Sequence, residues 1–275
     1  IVILTATSGD TGKAALEGFA GVEGTRIMVF FPEDGVSPVQ KLQMTTQEGE
    51  NTCVVGIKGN FDDAQSAVKS IFTDKALAAE LDAKGYCFSS ANSINIGRLV
   101  PQIVYYFWAY LRAAEMGEIK LGEELNFTVP TGNFGDILAG WYAMKMGLPV
   151  GHFVCASNDN KVLYDFFRTG TYDRNRAFHV TISPSMDILI SSNLERLLCH
   201  MGGQEKTGAE MESLAKNGTY TAEITEKRMS GEFATERETA EAIRAFYEGT
   251  GYVMDTHTAV AYAAYKKYQA ESGDM

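Results

Sequence analysis

Cysteine, histidine and basic residues are scarce in this chain, and each shortage argues against a class of site. The 275 residues include four cysteines and four histidines. No cysteines form a C-x-x-C pair and no histidines have the spacing of metal ligands, so a zinc site is not expected. Four scattered thiols fit reduced core residues better than disulfides. Lysine and arginine total 24 against 35 acidic residues, and the resulting formal charge of −11 disfavours nucleic acid or an anionic membrane as partner.

Long apolar runs are missing as well. The longest, Ile103–Leu111, is about half the length that a membrane-spanning helix needs. No basic segment followed by an apolar stretch resembles a signal peptide. We therefore expect a soluble cytoplasmic protein. Hydrophobic residues make up 45% of the chain, which predicts a folded globule of one large domain or two ordinary ones.

Apolar runs alternate with amphipathic stretches along most of the chain, a rhythm typical of α/β proteins with parallel sheets and helices on both faces. The clearest predicted strands are Ile1–Leu4, Arg26–Phe31, Thr52–Ile57, Tyr86–Phe88, Leu125–Val129 and His152–Ala156. Predicted helices include Lys13–Phe19, Pro38–Thr46, Asp62–Phe72, Arg98–Ala114, Ile137–Met146, Thr225–Ser230 and Glu236–Glu248. We expect a smaller α/β domain over residues 1–97 and a larger one, with a helical C-terminal part, over residues 98–275.

The helix predicted over Arg98–Ala114 is unusually aromatic. Its cluster consists of Tyr105, Tyr106, Phe107, Trp108 and Tyr110. Aromatic residues at successive positions point in all directions around a helix, so the cluster predicts burial on most sides.

A polar turn, Thr7–Gly12, lies between the first predicted strand and the first helix. The start of a helix carries unpaired N–H groups and a partial positive charge, so it can bind a carboxylate or a phosphate. Gly9 and Gly12 would let the backbone approach such a ligand closely. The turn also offers hydroxyl groups, on Thr7, Ser8 and Thr11. The alternative interpretation is an ordinary helix cap without a ligand.

Three familiar motifs are absent around these turns. A P-loop would need a glycine at the position of Thr7 and a serine or threonine at that of Ala14. The chain has no G-x-G-x-x-G after a strand, which argues against a dinucleotide site, and no G-x-S-x-G nucleophile turn.

A second glycine-containing turn, Thr131–Asp136, also follows a strand and precedes a helix. Gly132 and Gly135 bracket it, so successive N–H groups can point into one concavity and bind a phosphate. The alternative is an ordinary strand–helix turn capped by Asp136. A third polar segment, Ser89–Arg98, ends in an arginine that could pair with a phosphate through two N–H groups, or could simply lie at the surface.

Together these segments resemble the threonine synthase family of pyridoxal-phosphate (PLP) enzymes. The matching stretches are ATSGDTG (6–12), SPVQKLQMTT (37–46), FDDAQ (61–65), SANSINIGRLVPQIVYYF (90–107), PTGNFGD (130–136), FFRTGTY (166–172), SPSMDILISSNLERLL (183–198) and DTHTAVAYA (255–263). They keep their order from residue 6 to residue 263, so the resemblance covers nearly the whole chain.

The resemblance implies the tryptophan-synthase-β-like fold of type II PLP enzymes: two open, twisted, mostly parallel sheets with helices on both faces, here incomplete. It implies a carbon–oxygen lyase of threonine biosynthesis that acts on a phosphate, converting O-phospho-L-homoserine and water to L-threonine and phosphate. It also implies site residues. Those for the PLP phosphate are Gly132, Asn133, Phe134, Gly135 and Asp136, with Asp10 near the cofactor's 3′-oxygen. Those for the substrate are Thr7, Ser8 and Thr11 at its carboxylate and Asn92, Ser93 and Arg98 at its phosphate.

The chain departs from the family's pattern at its most reactive position. The family's Schiff-base lysine lies upstream, between Phe and Asp, and no lysine here is flanked that way, so no catalytic residue is assigned. The hydroxyl partner of the cofactor's pyridine nitrogen lies beyond the DTHTAVAYA helix, after the end of this chain. Ile96 and Thr256 occupy positions where the family usually has Trp and Pro.

We therefore expect an inactive piece of a threonine synthase. Apolar faces left without their missing neighbours predict self-association or a homodimer. Two alternatives remain open at this point. One is another fold type II PLP lyase, such as a threonine dehydratase, a cysteine synthase or a threonine-synthase-like phospho-lyase. The other is a non-catalytic anion-binding protein that kept the pockets and lost the lysine.

Overall fold

A computed structural model describes residues 1–7 and 9–273 of the chain. The chain divides into two compact units, Ile1–Arg98 and Leu99–Met275. Each unit contains a parallel sheet covered by helices. The sequence placed the corresponding boundary between residues 97 and 98.

The first unit is built on a four-stranded parallel sheet of order β3-β2-β1-β4. Its strands are β1 (Val2–Ala6), β2 (Arg26–Pro32), β3 (Thr52–Ile57) and β4 (Phe88–Ser90). Its helices are α1 (Asp10–Phe19), α2 (Pro38–Thr45), α3 (Phe61–Thr73) and α4 (Lys75–Asp82). The short helix α5 (Ile96–Leu99) ends this unit and begins the next.

Alternation along the strands divides the apolar side chains of this sheet between its two faces. One face packs Ile3, Ile27 and Val29 against α1 and α2, with Leu16 and Met44 fully buried. The other packs Leu4, Ala6, Met28 and Phe30 against Ala64 and Val68 of α3. Helices on both faces agree with the fold expected from the sequence.

The second unit contains a parallel sheet of order β5-β6-β9 and a separate antiparallel pair, β7-β8. Its strands are β5 (Leu125–Pro130), β6 (Val150–Ser157), β7 (Thr171–Asp173), β8 (Thr219–Thr221) and β9 (Met229–Phe233). Its helices are α6 (Ile103–Glu115), α7 (Gly135–Lys145), α8 (Val162–Thr169), α9 (Leu194–Gly202), α10 (Gln204–Asn217), α11 (Glu236–Thr250) and α12 (Thr256–Ser272).

Helix α7 lies in the core of this unit, and its packing fixes the position of the turn that precedes it. Most of its residues are buried, on all sides of the helix. At Gly140 the helix comes so close to its neighbours that an added Cβ would lie 2.5 Å from the Tyr106 ring and 2.7 Å from that of Phe153. The Tyr106 hydroxyl also donates to the backbone oxygen of Asp136 at 2.9 Å. The start of α7 is therefore held by both packing and a hydrogen bond.

Three sequence predictions along this part of the chain are wrong. The predicted helix Arg98–Ala114 is interrupted by a 3₁₀ turn, Val100–Gln102, because Pro101 supplies no N–H group. Its aromatic cluster is also not buried on most sides. Tyr106 and Tyr110 are buried, but Tyr105 and Trp108 are 60% and 64% exposed, since α6 packs inward along one face only.

The segment Thr225–Ser230 is not a helix. It leads into the strand β9, whose Met229 pairs with Phe153 of β6 in parallel register. Charged residues in this segment favour a surface helix locally, but pairing with β6 satisfies the backbone of a buried strand, and that tertiary contact decides the structure. At Gly231 an added Cβ would lie 2.8 Å from the Cα atom of Tyr164, so α8 packs directly on the strand backbone.

The start of α1 depends on a buried threonine rather than on a side chain at the cap position. The N-cap residue, Gly9, has no side chain to offer. Instead the Thr7 hydroxyl oxygen accepts hydrogen bonds from the backbone N–H groups of Gly9, at 2.9 Å, and Gly12, at 2.8 Å. Thr7 is 1% exposed, so water cannot replace it in this role.

We predict that Thr7→Val lowers the free energy of unfolding by about 1–2 kcal/mol, because it leaves two buried amides without an acceptor. The matched control is Thr5→Val. Thr5 is equally buried, but its hydroxyl has no hydrogen-bond partner among the described residues, so its loss should change stability by less than about 0.5 kcal/mol or raise it. Urea unfolding of both variants measures the difference, and equal losses would contradict the capping role.

Candidate functional site

The carboxyl ends of the parallel strands carry the candidate residues in each unit. In the second unit, β5 ends at Pro130 opposite Ala156 of β6, and the turn Thr131–Asp136 leads from there into α7. The ladder continues one step into this turn, where the Thr131 N–H group donates to the Ala156 oxygen at 2.8 Å. Loops at this edge of open α/β sheets are the usual place for ligands.

The turn carries an uncommon backbone conformation. Phe134 has a φ of 65°, in the left-handed region, and is the only described residue other than glycine with a positive φ. Such a residue costs conformational energy and persists only where its surroundings hold it, frequently at functional sites. Here the Phe134 side chain is 1% exposed and stacks on Phe167 at 6.1 Å between ring centroids. Burial of the ring holds the strained turn.

The turn leaves several backbone N–H groups available for a ligand. In the part of the chain that the structure describes, four backbone amides donate no hydrogen bond. Two lie in the turn, on Asn133 and Phe134, and two lie in the first turn of α7, on Asp136 and Ile137. The Gly135 amide donates to the Asn133 side-chain oxygen at 3.1 Å. A bare helix start with further unpaired amides fits a phosphate group.

Gly132 leaves no room for a side chain at the base of this turn. An added Cβ would lie 2.7 Å from the backbone oxygen of Ser185, and two backbones cannot separate as a flexible side chain could. The unpaired amides and the close approach of Ser185 leave a surface of backbone donors at this turn. We call the turn Thr131–Asp136 the cradle.

Asp136 is the one ionisable residue of the cradle. The residue as a whole is exposed, but partial burial of its carboxyl removes water from the charged form. This desolvation raises the pKa of Asp136 above the usual value for an aspartate. A hydrogen bond from the Tyr106 hydroxyl, 3.3 Å from Oδ1, acts in the opposite direction. Burial also raises the pKa of Tyr106 well above its usual value, so the phenol stays a donor.

In the first unit the candidate residues lie at the corresponding edge of the other sheet. Strands β1 and β4 pair in parallel, with Leu4 opposite Ser90, so the turn after β1 and the segment after β4 emerge side by side. The Asn92 side chain joins them: its amide donates to the Ala6 oxygen at 2.6 Å, and its oxygen accepts from the Ala6 N–H group at 2.9 Å. The Asn92 side chain therefore pairs with the end of β1 as the backbone of a neighbouring strand would. Ser93, the next residue, is also buried.

Arg98 lies near the turn that begins α1. Both of its terminal nitrogens are 3.4 Å from the Thr11 hydroxyl, and one donates to the Ala91 oxygen at 2.9 Å. A cleft of about 360 Å³ opens here, lined by Thr11, Arg98, Ser90 and Asn95 among others. An exposed guanidinium over a hydroxyl at the mouth of a cleft can hold an oxyanion.

The structure places the remaining predicted residues as follows. Asp10 is the first residue of α1, is exposed and accepts a hydrogen bond from the Gln40 amide at 2.7 Å. Thr7 is a buried cap, as described above. Ser8 lies outside the described residues. Thr11 and Arg98 are brought together within the first unit, whereas the cradle residues belong to the second.

Sequence reasoning missed the partners of the cradle. The segment Ser183–Asn193 contacts it through the Ser185 carbonyl and through hydrogen bonds from Ser191 and Asn193. His257 accepts from the Ser185 N–H group at 3.2 Å and contacts Asp255. The only signal in the sequence was composition, because small polar residues interrupt the apolar residues of Ser183–Asn193. The fold buries several of these polar residues.

Among the described residues, no group of three or more histidine, cysteine, aspartate and glutamate side chains could hold a metal ion. The described helices include none that combines the length and the apolar character needed to cross a membrane.

Comparison with known proteins identifies the family of the chain. The family model described as "Pyridoxal-phosphate dependent enzyme" matches residues 1–274. "Threonine synthase-like 1" from Macaca fascicularis is 43% identical over 274 residues, which span 94% of this chain and 37% of that protein. Threonine synthase from Saccharomyces cerevisiae is 37% identical over 100% of this chain and 56% of its own length.

A solved structure gives the same result for the fold. The PLP-bound threonine synthase from Brucella melitensis superposes with a TM-score of 0.82 and 40% identity, over 97% of this chain and 56% of that one. This chain thus spans about half or less of the length of the relatives it matches. It belongs to the family of pyridoxal-phosphate-dependent enzymes, whose cofactor is pyridoxal 5′-phosphate, and within that family it is similar to threonine synthases and threonine synthase-like proteins.

Proposed function

We propose that this chain is part of a threonine synthase, which converts O-phospho-L-homoserine and water to L-threonine and phosphate. The observation that carries the proposal is the match to threonine synthases of 37–40% identity over nearly the whole chain. Because the chain spans about half of those proteins, the activity and the substrate are proposed for the complete enzyme to which it would belong.

The cradle is proposed to hold the cofactor's phosphate. The amides of Asn133, Phe134, Asp136 and Ile137 supply donors, and the helix start adds a partial positive charge. Asp10, at the start of α1, is proposed to lie near the cofactor's 3′-oxygen. When bound, PLP supplies the electron sink for the reaction.

The first unit is proposed to hold the substrate. Arg98 would contact its phosphate from the cleft described above, and a guanidinium suits a tetrahedral oxyanion. Asn92 and Ser93 would support that site from the adjoining turn. The substrate carboxylate would bind at the α1 start near Ser8 and Thr11, where Thr7 keeps the turn in shape.

The overall negative charge does not oppose three anionic groups. The net charge of −11 is spread over the chain, whereas helix starts and Arg98 act within a few ångströms. Beyond about 8–10 Å, salt screens exposed charges at physiological ionic strength.

We predict that the 275-residue chain alone does not turn over O-phosphohomoserine, because none of its lysines lies between Phe and Asp, the context of the family's Schiff-base lysine. Phosphate release in the presence of added PLP measures this, with the complete yeast threonine synthase as positive control. Release at a rate comparable to the control would refute the prediction, and release no faster than the protein-free background is expected.

We predict that the chain binds PLP more tightly than pyridoxal, since only PLP carries the group that the cradle recognises. Gly132→Ala should weaken PLP binding about tenfold or more, because its Cβ would displace the turn from Ser185, and should leave pyridoxal binding unchanged. Equilibrium dialysis measures both ligands.

The control for this substitution is Gly208→Ala. Gly208 lies in α10, where no atom stands within 4 Å of an added Cβ, so the variant should bind like the wild type. Equal PLP affinity in all three proteins would show that the cradle does not bind the cofactor's phosphate.

A second candidate is a threonine-synthase-like protein with another substrate or none. The 43% identity to "Threonine synthase-like 1" favours it as much as the threonine synthase matches favour the first. A screen of the complete protein with O-phosphohomoserine, threonine and O-acetylserine would separate the two candidates. Threonine formation supports the first, a different product supports another PLP lyase, and binding without turnover supports an anion-binding protein.

A further inference from the structure

The carbonyl groups of the cradle are tied to a neighbouring segment, Ser183–Asn193, which we call the clamp. The Ser191 hydroxyl donates to the Gly132 oxygen at 2.7 Å. Asn193 donates to the Asn133 oxygen twice, from its backbone N–H group at 3.0 Å and from its side-chain amide at 3.1 Å. Ser191 is 6% exposed and Asn193 is fully buried, so water does not compete for the groups that form these hydrogen bonds.

Because peptide groups are planar, the hydrogen bonds to the carbonyls of Gly132 and Asn133 also fix the direction of the amides that follow them. In a trans peptide, the carbonyl of one residue and the N–H group of the next point in opposite directions, and no described peptide bond is cis. Holding the Gly132 carbonyl toward Ser191 therefore turns the Asn133 amide away from the clamp. Holding the Asn133 carbonyl toward Asn193 does the same for the Phe134 amide. These two amides are among those without a hydrogen bond in the described part of the chain.

The clamp is itself held by a buried network at its start. The Asp187 carboxylate accepts hydrogen bonds from the side-chain amides of Asn158, at 2.7 Å, and Asn160, at 3.0 Å, and from the hydroxyl and backbone N–H groups of Thr181. Asp187 is 7% exposed, and its four donors compensate the loss of water around the carboxylate. The network joins the clamp to the end of β6, next to the strand that carries the cradle.

A second anchor holds the clamp close to Ser191. The Tyr172 hydroxyl donates to the Leu189 oxygen at 3.0 Å and accepts from the Ser191 N–H group at 2.8 Å. The side-chain oxygen of Asn193 accepts from Arg196, which leaves its amide to face the cradle. Both tethering side chains are thus oriented by further partners, as preorganised sites require.

We propose that Ser191 and Asn193 are positioning residues of the cradle: by holding the carbonyls of Gly132 and Asn133, they aim the amides of Asn133 and Phe134 at the phosphate of the ligand. Neither side chain contacts the ligand in this proposal. It rests on the proposed function, because it assumes that the cradle binds the cofactor's phosphate. Removing a tether leaves the peptide free to rotate, so the amides must be ordered again when the anion binds.

Two adjacent serines provide a matched pair for the test. Ser191→Ala removes the hydroxyl that tethers Gly132. Ser192→Ala removes a hydroxyl that is also buried but has no hydrogen-bond partner among the described residues. The probes are PLP, pyridoxal and inorganic phosphate, measured by isothermal titration calorimetry on the whole chain. Urea unfolding reports stability separately.

We expect Ser191→Ala to weaken PLP and inorganic phosphate binding about five- to tenfold and to leave pyridoxal binding unchanged. Ser192→Ala should bind all three like the wild type. A purely structural role would weaken every ligand alike or none. In ¹H–¹⁵N spectra, the shifts of the Asn133 and Phe134 amides on adding phosphate should be large in the wild type and in Ser192→Ala, and reduced in Ser191→Ala.

If Ser191→Ala fails to fold, Ser191→Cys keeps a side chain of similar shape with a poor donor, and the same selective loss is expected. PLP and phosphate affinities equal to those of Ser192→Ala would overturn the inference while leaving the cradle intact. A wild-type chain that does not prefer PLP over pyridoxal would instead overturn the proposed function, and this inference with it.

Discussion

Unpaired backbone amides at the start of α7 are the constraint on which the second unit depends. A buried N–H group without a partner is costly, so a turn that keeps several of them open must be held in shape by everything around it. Phe134 is held in a left-handed conformation by burial of its ring. The clamp takes up the carbonyls, and Gly132 admits the Ser185 backbone to van der Waals distance. The polar surface left over is shaped for an anion.

In the first unit, side chains bond the backbone groups of the turn that precedes α1. Thr7 takes up two amides of the turn before α1, and Asn92 takes up both backbone groups of Ala6 at the end of β1. These bonds fix the course of the chain around Arg98 and Thr11 without occupying them. Residues that a family resemblance assigns to the substrate therefore divide, on geometry, into those that build the turn and those that can face a ligand. This division is part of the proposal for the complete enzyme.

The resemblance and the physical chemistry support each other at different levels. Motif order along the chain identified the family, and the family model with its relatives bears this out. Local patterns predicted parallel sheets with helices on both faces. Both units contain a parallel sheet, and in the first unit helices pack on both of its faces. They failed where long-range contacts decide. Thr225–Ser230 has helix-forming residues but leads into a strand because β6 offers it a hydrogen-bonding edge, and Trp108 is exposed because α6 packs along one face.

The sequence by itself determined the strands β1–β6, the glycine-bracketed turns and the family, since these depend on neighbours in the chain and on residue types. Only the tertiary structure decided which polar groups of those turns are already satisfied. Thr7 and Thr5 look alike in the sequence, as do Ser191 and Ser192. Yet the hydroxyl of Thr7 or Ser191 bonds a backbone group, whereas the hydroxyl of Thr5 or Ser192 has no hydrogen-bond partner among the described residues. Ser191 and Gly132 are distant in the chain, so their hydrogen bond requires the folded positions of both, and no local pattern records it.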